Sequence, residues 1–230
     1  MASGSFLDRL RADDRAAIES AASRRTYRKG SLVFLDGDTV GDVLLITSGQ
    51  IKITVASHDG REVLIDIRGE GEVIGEMSLI DNSPRSASAF ALTSPTEALV
   101  IPVRAFREFV DNEFSFTRVL LDEMVSKLRD TTRHQLEFGL DDVGGRVNRR
   151  IAELSRRFGR VRGDGTVEIR SPITQQELAD WAGVSRQAVV KELTRLRDLD
   201  WIETKGSRII LRNPDAIYER AARFHGLDPS

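Results

Sequence analysis

The sequence predicts an α+β chain: a barrel or jelly roll of short strands, then a long helix, then a winged helix-turn-helix. Three observations carry this. Between residues 24 and 102, short β-rich runs alternate with glycine turns, as in antiparallel sheets that close or roll up. After Pro102 the apolar period changes to that of a helix. Around residue 183 two helical patterns meet at a glycine, and a strand, a tight turn and a second strand follow.

Composition sets the bounds. The chain has 230 residues, 40% hydrophobic and 30% charged, which suits a soluble globular protein with room for two cores. No apolar run approaches the ~18 residues of a membrane span, so no membrane partner is expected. The start, MASGSFLDRLRADDR, becomes charged within a few residues and shows no signal peptide, so the expected compartment is the cytoplasm. The lack of cysteine excludes disulfides, thiolate zinc sites, cysteine-ligated iron–sulfur clusters and cysteine nucleophiles. His58, His134 and His225 form no metal motif, and no nucleophile–base set is visible. Neither an enzyme nor a metal or haem protein is expected.

The net charge of −2 hides an asymmetry. Residues 1–140 carry 17 Lys/Arg and 22 Asp/Glu, a net of −5, whereas residues 141–230 carry 17 and 14, a net of +3. The basic second half makes nucleic acid a candidate partner, although chance surface variation gives the same signal.

Residues 6–23 place Phe6, Leu7, Leu10, Ala17, Ile18 and Ala21 at helical intervals, predicting one or two short helices. Strands are predicted at 31–35, 43–48, 50–57, 62–68, 73–74, 88–91 and 97–102, with Asp59-Gly60 at a hairpin tip. A short helix at 103–110 and a long one at 114–138 follow. In the long helix Leu121, Met124, Leu128, Thr131, Gln135 and Phe138 alternate by threes and fours, an a/d seam for a partner helix. An ordinary helix packed on its own barrel is the alternative. Thr131 and Gln135 are out of place in an apolar seam and predict that something polar is met there. Gly139 is expected to end the helix and Gly144-Gly145 to add slack. That places a hinge at 139–145 and domains at 1–113, 114–140 and 141–230. A helix at 146–158, a basic glycine-rich loop at 159–165 and a strand at 167–170 come next.

The second half carries the more specific motif. Thr174 and Glu177, three apart, read as a capping box that opens a helix running to Ala182. Gly183 permits a left-handed turn, and Ser185 caps a second helix from Arg186 to about Leu199. Small Ala179 lets the helices approach, and Val184, Val189 and Leu193 fill the space between them. Residues 201–204 and 208–211, joined by Lys205-Gly206-Ser207, read as a wing. Any compact helical hairpin is the alternative, but cap, glycine turn and wing together point to DNA. Arg186, Gln187, Lys191 and Arg195 face outward on the second helix. Arg186 suits a bidentate bond to guanine, and Gln187 suits adenine. Thr174, Gln176, Lys205 and Arg208 suit phosphates, and Ser185 and Lys191 complete the candidate DNA-binding set.

In the first half, residues 71–87 read GEVIGEMSLIDNSPRSA. Gly75-Glu76 precedes Arg85-Ser86-Ala87, a pattern that suits a sugar phosphate: a guanidinium for the phosphate, backbone N–H donors, and a carboxylate for a ribose hydroxyl. The alternative is a simple salt bridge between Glu76 and Arg85 across a turn.

On these two motifs, GE-M-S-L…P-RSA and ITQQELADWAGVSRQAVVKEL, the chain resembles the cyclic-AMP receptor protein branch of the CRP/FNR transcription regulators, over about residues 7–212. The resemblance implies an N-terminal double-stranded β-helix (jelly roll) that binds a cyclic nucleotide, with cAMP the expected ligand. It implies that the long helix forms a homodimer, that double-stranded DNA with a near-palindromic operator is the partner, and that RNA polymerase is a further one. By the same resemblance Glu76 holds the ribose 2′-hydroxyl and Arg85 the cyclic phosphate. Gly75, Met77, Ser86 and Ala87 complete that cassette. Thr131 and Thr132 meet the adenine amino group, one from each subunit. Arg186, Gln187 and Lys191 take DNA-reading positions. The chain departs from the family pattern at Gln187, where many members have Glu, and at Lys191, where many have Arg, which changes the expected base preference. A regulator that binds DNA without nucleotide, or that answers to another small effector, is the alternative.

Overall fold

The run Val43-Leu44-Leu45-Ile46 is buried at every position, which a strand tolerates only when both its faces are covered. That requirement sets the layers of the first half. The structure, a computed structural model, describes residues 5–222 apart from 58, 59, 141, 171 and 207, and the backbone alone at 136–140. It forms two compact units, Met1–Thr131 and Thr132–Ser230.

The first unit opens with helices α1 (Phe6–Arg9) and α2 (Ala12–Ala21). Strands β1 (Ser23–Tyr27), β2 (Leu32–Phe34), β3 (Val43–Ser48), β4 (Ile51–Ala56), β5 (Glu62–Arg68) and β6 (Val73–Ile74) follow. Helix α3 (Met77–Asp81), strands β7 (Ser88–Ala91) and β8 (Thr96–Ile101), helix α4 (Val103–Asn112) and the part of α5 (Phe114–Leu140) up to Thr131 complete it. The strands make two antiparallel four-stranded sheets, ordered β1-β8-β3-β6 and β2-β7-β4-β5. This is the jelly roll expected.

Alternation along β3 divides the core. Leu44 and Ile46 point between the sheets, where they meet Ile51, Ala89, Ala91, Ala98 and Val100. Val43 and Leu45 point to the other side, against Phe6, Ile18, Phe106, Phe116 and Leu120 of the helices. Phe116 anchors α5 here, with ring centroids 5.8 Å from Phe6, 5.3 Å from Phe106 and 5.6 Å from Phe109.

The second unit contains α6 (Val143–Phe158), β9 (Gly159–Val161), β10 (Val167–Ile169), α7 (Gln175–Ala182), α8 (Arg186–Asp198), β11 (Ile202–Lys205), β12 (Arg208–Leu211) and α9 (Pro214–Ala222). Its antiparallel sheet runs β11-β12-β10-β9. Val147, Ile151 and Leu154 of α6 are buried, as are Ala179, Val189 and Leu196 of α7 and α8.

Several features correct the sequence expectations: the loop expected at 159–165 opens with strand β9, and the segment at 77–81 forms the short helix α3. Strand β1, SRRTY, was not predicted, because four of its five residues are exposed and no apolar alternation marks it. Helix α9 was not predicted either, although Asn213 Oδ1 accepts from Ala216 N–H at 3.1 Å and Pro214 takes the first helical position, a readable start signal. The glycines of the expected hinge are helical: Gly139 lies within α5, and Gly144 and Gly145 lie in the first turn of α6. Asp142 caps α6 through Gly145 N–H, and a Cβ at Gly144 would come within 2.9 Å of Glu192 Oε2, so close packing rather than slack accounts for that glycine. The seam is also shifted. Met124 packs into the core, while Leu121, Val125 and Leu128 are 60%, 46% and 67% exposed. The Asp59 tip and the Phe138 side chain lie outside the described residues.

Replacing Phe116 by alanine removes the ring shared by α1, α4 and α5. Denaturant unfolding should show a loss of about 3–5 kcal/mol, whereas a loss under about 1 kcal/mol would mean that α5 is held by other contacts.

Candidate functional site

Arg85 lies at the start of the segment entering β7 and is 5% exposed. Its backbone is pinned by the turn after β2: Arg85 N–H donates to Asp38 O at 2.8 Å, and Gly37 N–H donates to Arg85 O at 2.8 Å. The guanidinium donates to Gly75 O, to Ser78 Oγ at 2.8 Å and to Asp42 O at 2.7 Å, and stacks 4.5 Å over the Phe34 ring. Burial lowers its pKa, and the nearby carboxylates of Glu76, Asp38 and Asp42 work against that. Among the described residues no carboxylate forms an ion pair with it. A buried cation met by neutral acceptors is poised to gain from an anion.

Gly75 is where the chain must be a glycine. Its φ is +82°, and a Cβ there would fall 2.5 Å from Arg85 Nη1. The next residue, Glu76, is 2% exposed and opens α3. Its Oε1 accepts from Lys127 Nζ of α5 at 2.7 Å, and Lys127 also donates to Val73 O at 3.1 Å. Glu76 and Arg85 are therefore not each other's salt-bridge partners. Behind Lys127, Glu123 pairs with Arg9 of α1 and lies 3.9 Å from Lys127 Nζ.

The other predicted ligand residues fall on α3, on the segment before β7 and on α5. Met77 and Ser86 are exposed and Ala87 is buried. Thr131 follows Lys127 by one helical turn, on the same side of α5, and its hydroxyl donates to Lys127 O at 3.0 Å. Thr132 continues the spacing of Leu121, Val125 and Leu128, the exposed stripe. Lys127, Ser78, Asp42 and Phe34 were missed in the sequence. Lys127 carried a signal, being four residues before Thr131. Asp42 acts through its carbonyl and Phe34 through its ring, neither of which sequence spacing reveals.

In the second unit the capping box forms as expected: Thr174 Oγ1 accepts from Glu177 N–H at 3.1 Å, and Glu177 Oε2 accepts from Thr174 N–H at 2.8 Å. Gly183 takes φ +61°, ψ +40°, and Val184 N–H donates to Ala179 O at 3.0 Å, closing the turn. Ser185 Oγ caps α8 by accepting from Ala188 N–H at 3.2 Å. Arg186, Gln187 and Lys191 are exposed on α8. Arg195 pairs with buried Glu192 at 3.1 Å, and the Gln176 amide donates to Asp180 at 2.8 Å, so both are engaged within the unit. In the wing, Lys205 pairs with Glu203 at 2.7 Å, and Arg208 pairs with Glu168 at 3.4 Å. Ser207 lies outside the described residues.

The chain matches the family model for the cyclic nucleotide-binding domain over residues 24–113 and that for the Crp-like helix-turn-helix domain over residues 145–220. Over 206 residues it is 30% identical to the CRP-like cAMP-activated global transcriptional regulator of Mycobacterium tuberculosis, covering 90% of this chain and 91% of that one. The chain belongs to the CRP/FNR family. It is 28% identical over 191 residues to the cAMP-activated global transcriptional regulator Vfr of Pseudomonas aeruginosa, covering 82% of this chain and 88% of that one. The c-di-GMP responsive global regulator CLP of Xanthomonas campestris superposes with a TM-score of 0.73 at 25% identity, over 87% of this chain and 99% of that one. FixK2 from Bradyrhizobium japonicum, at 21% identity and a TM-score of 0.74, shares the fold, over 91% of this chain and 98% of that one. This CRP/FNR protein is thus a cyclic-nucleotide-binding, DNA-binding transcription regulator and not an enzyme. No helix among the described residues is long and apolar enough to cross a membrane.

The wing also predicts a pH dependence. Glu168 hydrogen-bonds to Arg170 and Arg162, which hold its pKa down to about 2, against an ordinary 4.5. A depressed folded-state pKa stabilises the fold fully above the unfolded value, and that contribution is lost as pH falls through the folded one. Glu168→Gln should therefore melt below the wild type by a constant margin above about pH 5, and the margin should shrink between about 4.5 and 2. A margin that is flat across that window would mean Glu168 titrates normally.

Proposed function

We propose that this regulator is a homodimer whose DNA binding responds to a cyclic nucleotide, with cyclic AMP as the ligand. The observation that carries the reading is Arg85, a buried cation faced by neutral acceptors beside Gly75 and Glu76. A cyclic phosphate supplies the missing counter-charge, and Ser86 and the backbone at Gly75, Met77 and Ala87 bound the same corner. The carboxylate of Glu76, oriented by Lys127, accepts from the ribose 2′-hydroxyl. Thr131 offers its hydroxyl from the roll's own side of α5, and Thr132 offers one from the exposed stripe, where a second copy packs. Relatives described as cAMP-activated favour cyclic AMP, and CLP, described as c-di-GMP responsive, keeps cyclic di-GMP as the rival ligand. The stripe Leu121, Val125 and Leu128 favours dimerisation through α5. Two α8 helices about one DNA turn apart, ~34 Å, would then read a near-palindromic operator. Arg186 and Gln187 contact bases, Lys191 and Ser185 flank them, and Thr174, Gln176, Lys205 and Arg208 face phosphates.

The deciding experiment is a titration of operator binding with cyclic AMP, cyclic GMP and cyclic di-GMP. Tightening by cyclic AMP alone supports the reading, and indifference to all three overturns it. Calorimetry on Arg85→Leu should lose about 2–5 kcal/mol of ligand binding in a folded protein. Unchanged cyclic-AMP affinity would remove Arg85 from the site.

The DNA half of the reading makes a separate prediction. Arg186→Ala should relax base preference and cost about 1–3 kcal/mol on the best site, while Lys205→Ala should weaken all sequences alike and flatten the salt dependence. Identical sequence profiles and salt slopes for the two variants would refute this division of roles.

A further inference from the structure

The wing sheet has two unlike faces. Pairing registers place Ile202, Leu211 and Val167 side by side across β11, β12 and β10, and with Ile169 they are buried. The alternate positions face the other way: Glu203 and Lys205 on β11, Arg208 and the buried Ile210 on β12, Glu168 with Arg170 just beyond it on β10, and Arg160 with Arg162 on the β9 side. Five of these are cations.

Glu168 sits at the centre of that face with its side chain 4% exposed. One oxygen, Oε1, meets Arg170 Nε at 3.1 Å and Arg208 Nη1 at 3.4 Å. The other, Oε2, meets Arg162 Nη2 at 3.0 Å and Arg170 Nη2 at 3.3 Å. One buried carboxylate thus gathers three arginines whose side chains remain 38%, 60% and 58% exposed. Three guanidiniums repel one another when left to themselves. Around a shared carboxylate they keep a net charge of +2, and each partly exposed guanidinium has more N–H donors than Glu168 engages.

We propose that this face is a second DNA-backbone surface, in which Glu168 positions Arg162, Arg170 and Arg208 as preformed phosphate forks. The proposal rests on the DNA-binding reading above and extends it past the helix-turn-helix and the wing tip. Two placements favour DNA over an acidic protein. Arg208 lies beside Lys205 at the wing turn, and Arg170 precedes the α7 cap Thr174 by four residues. Arg170 therefore falls between two of the backbone contacts proposed above, and a planar fork matches the paired oxygens of a phosphodiester.

Opposite outcomes follow for Glu168→Gln. If the carboxylate only repels DNA, its removal adds one positive charge and tightens binding. If it positions the arginines, its removal weakens binding despite the added charge. The test uses the full chain with cyclic AMP present and a long mixed-sequence duplex, and reads the salt dependence of affinity. Arg162→Gln/Arg170→Gln should lower the salt slope by about one unit per arginine, with the melting temperature confirming the fold. Glu168→Gln should bind severalfold more weakly than wild type. An unchanged slope in the double variant, with a reduced slope in Lys205→Gln, overturns the proposal and leaves the DNA reading intact. So does tighter binding by Glu168→Gln. A reduced slope on DNA together with equal loss on an acidic polypeptide such as polyglutamate assigns the face to acidic surfaces in general and also overturns it. Should Glu168→Gln melt below the assay temperature, the arginine pair decides alone. If the wild type binds no duplex, the underlying DNA reading fails instead.

Discussion

Lys127 reaches from the long helix to Glu76 at 2.7 Å, and the rest of the ligand corner is arranged around that pair. A carboxylate 2% exposed needs a partner, since breaking a buried pair costs roughly 3–5 kcal/mol. Because Glu76 turns to α5, Arg85 is left to the carbonyls of Gly75 and Asp42 and the hydroxyl of Ser78. The two charges that could have cancelled across the turn are kept apart. One faces a position fit for phosphate, and the other is tied to a helix that leaves the roll. Gly75 serves both arrangements, with the positive φ the turn needs and no Cβ to obstruct Arg85.

The pitch of α5 then sorts its residues. Leu120, Met124, Lys127 and Thr131 follow one stripe, from the aromatic cluster around Phe116 to the ligand corner. Leu121, Val125, Leu128 and Thr132 follow the next, and its apolar members are exposed. Adjacent threonines in a 3.6-residue helix lie about 100° apart, so a Thr-Thr pair places one hydroxyl on each stripe. On the proposed homodimer reading this is how one ligand meets two subunits.

The strand-rich first half was legible because short β-rich runs alternate with glycine turns, and the helix-turn-helix was legible because cap, glycine and wing residues occupy fixed offsets. Other features were hidden for physical reasons. Strand β1 pairs with β8 through its backbone while showing polar side chains to solvent. Met124 and Val125 are both apolar neighbours, so sequence alone could not settle which faced the core; packing on Phe116's cluster chose Met124. Gly144 looked like slack, yet it is small because Glu192 and Arg220 close over it. The cassette was readable at Gly75, Glu76 and Arg85, but its partners act through a carbonyl, a ring face and a lysine 51 residues beyond Glu76.

These placements also constrain how a ligand could act on DNA. A ligand shifts a conformational equilibrium only by the difference in its affinity for the two states. Contacts at Arg85 lie wholly within the roll, where Gly75, Ser78 and Asp42 hold the guanidinium and Asp38 holds the Arg85 backbone N–H. Such contacts strengthen binding in either state and so supply little preference. Contacts that include α5 differ, because that helix runs on past Thr131 to Leu140 and into the second unit. On the proposed reading, a ribose bonded to Glu76 would change the load on Lys127, and an amino group at Thr131 would draw on a hydroxyl now bonded to Lys127 O. Both effects act within one helical turn of the same helix. On the proposed reading, affinity and switching would therefore reside in different residues: Arg85 would govern whether ligand stays, and the Lys127–Thr132 turn whether its presence reaches the DNA-binding unit.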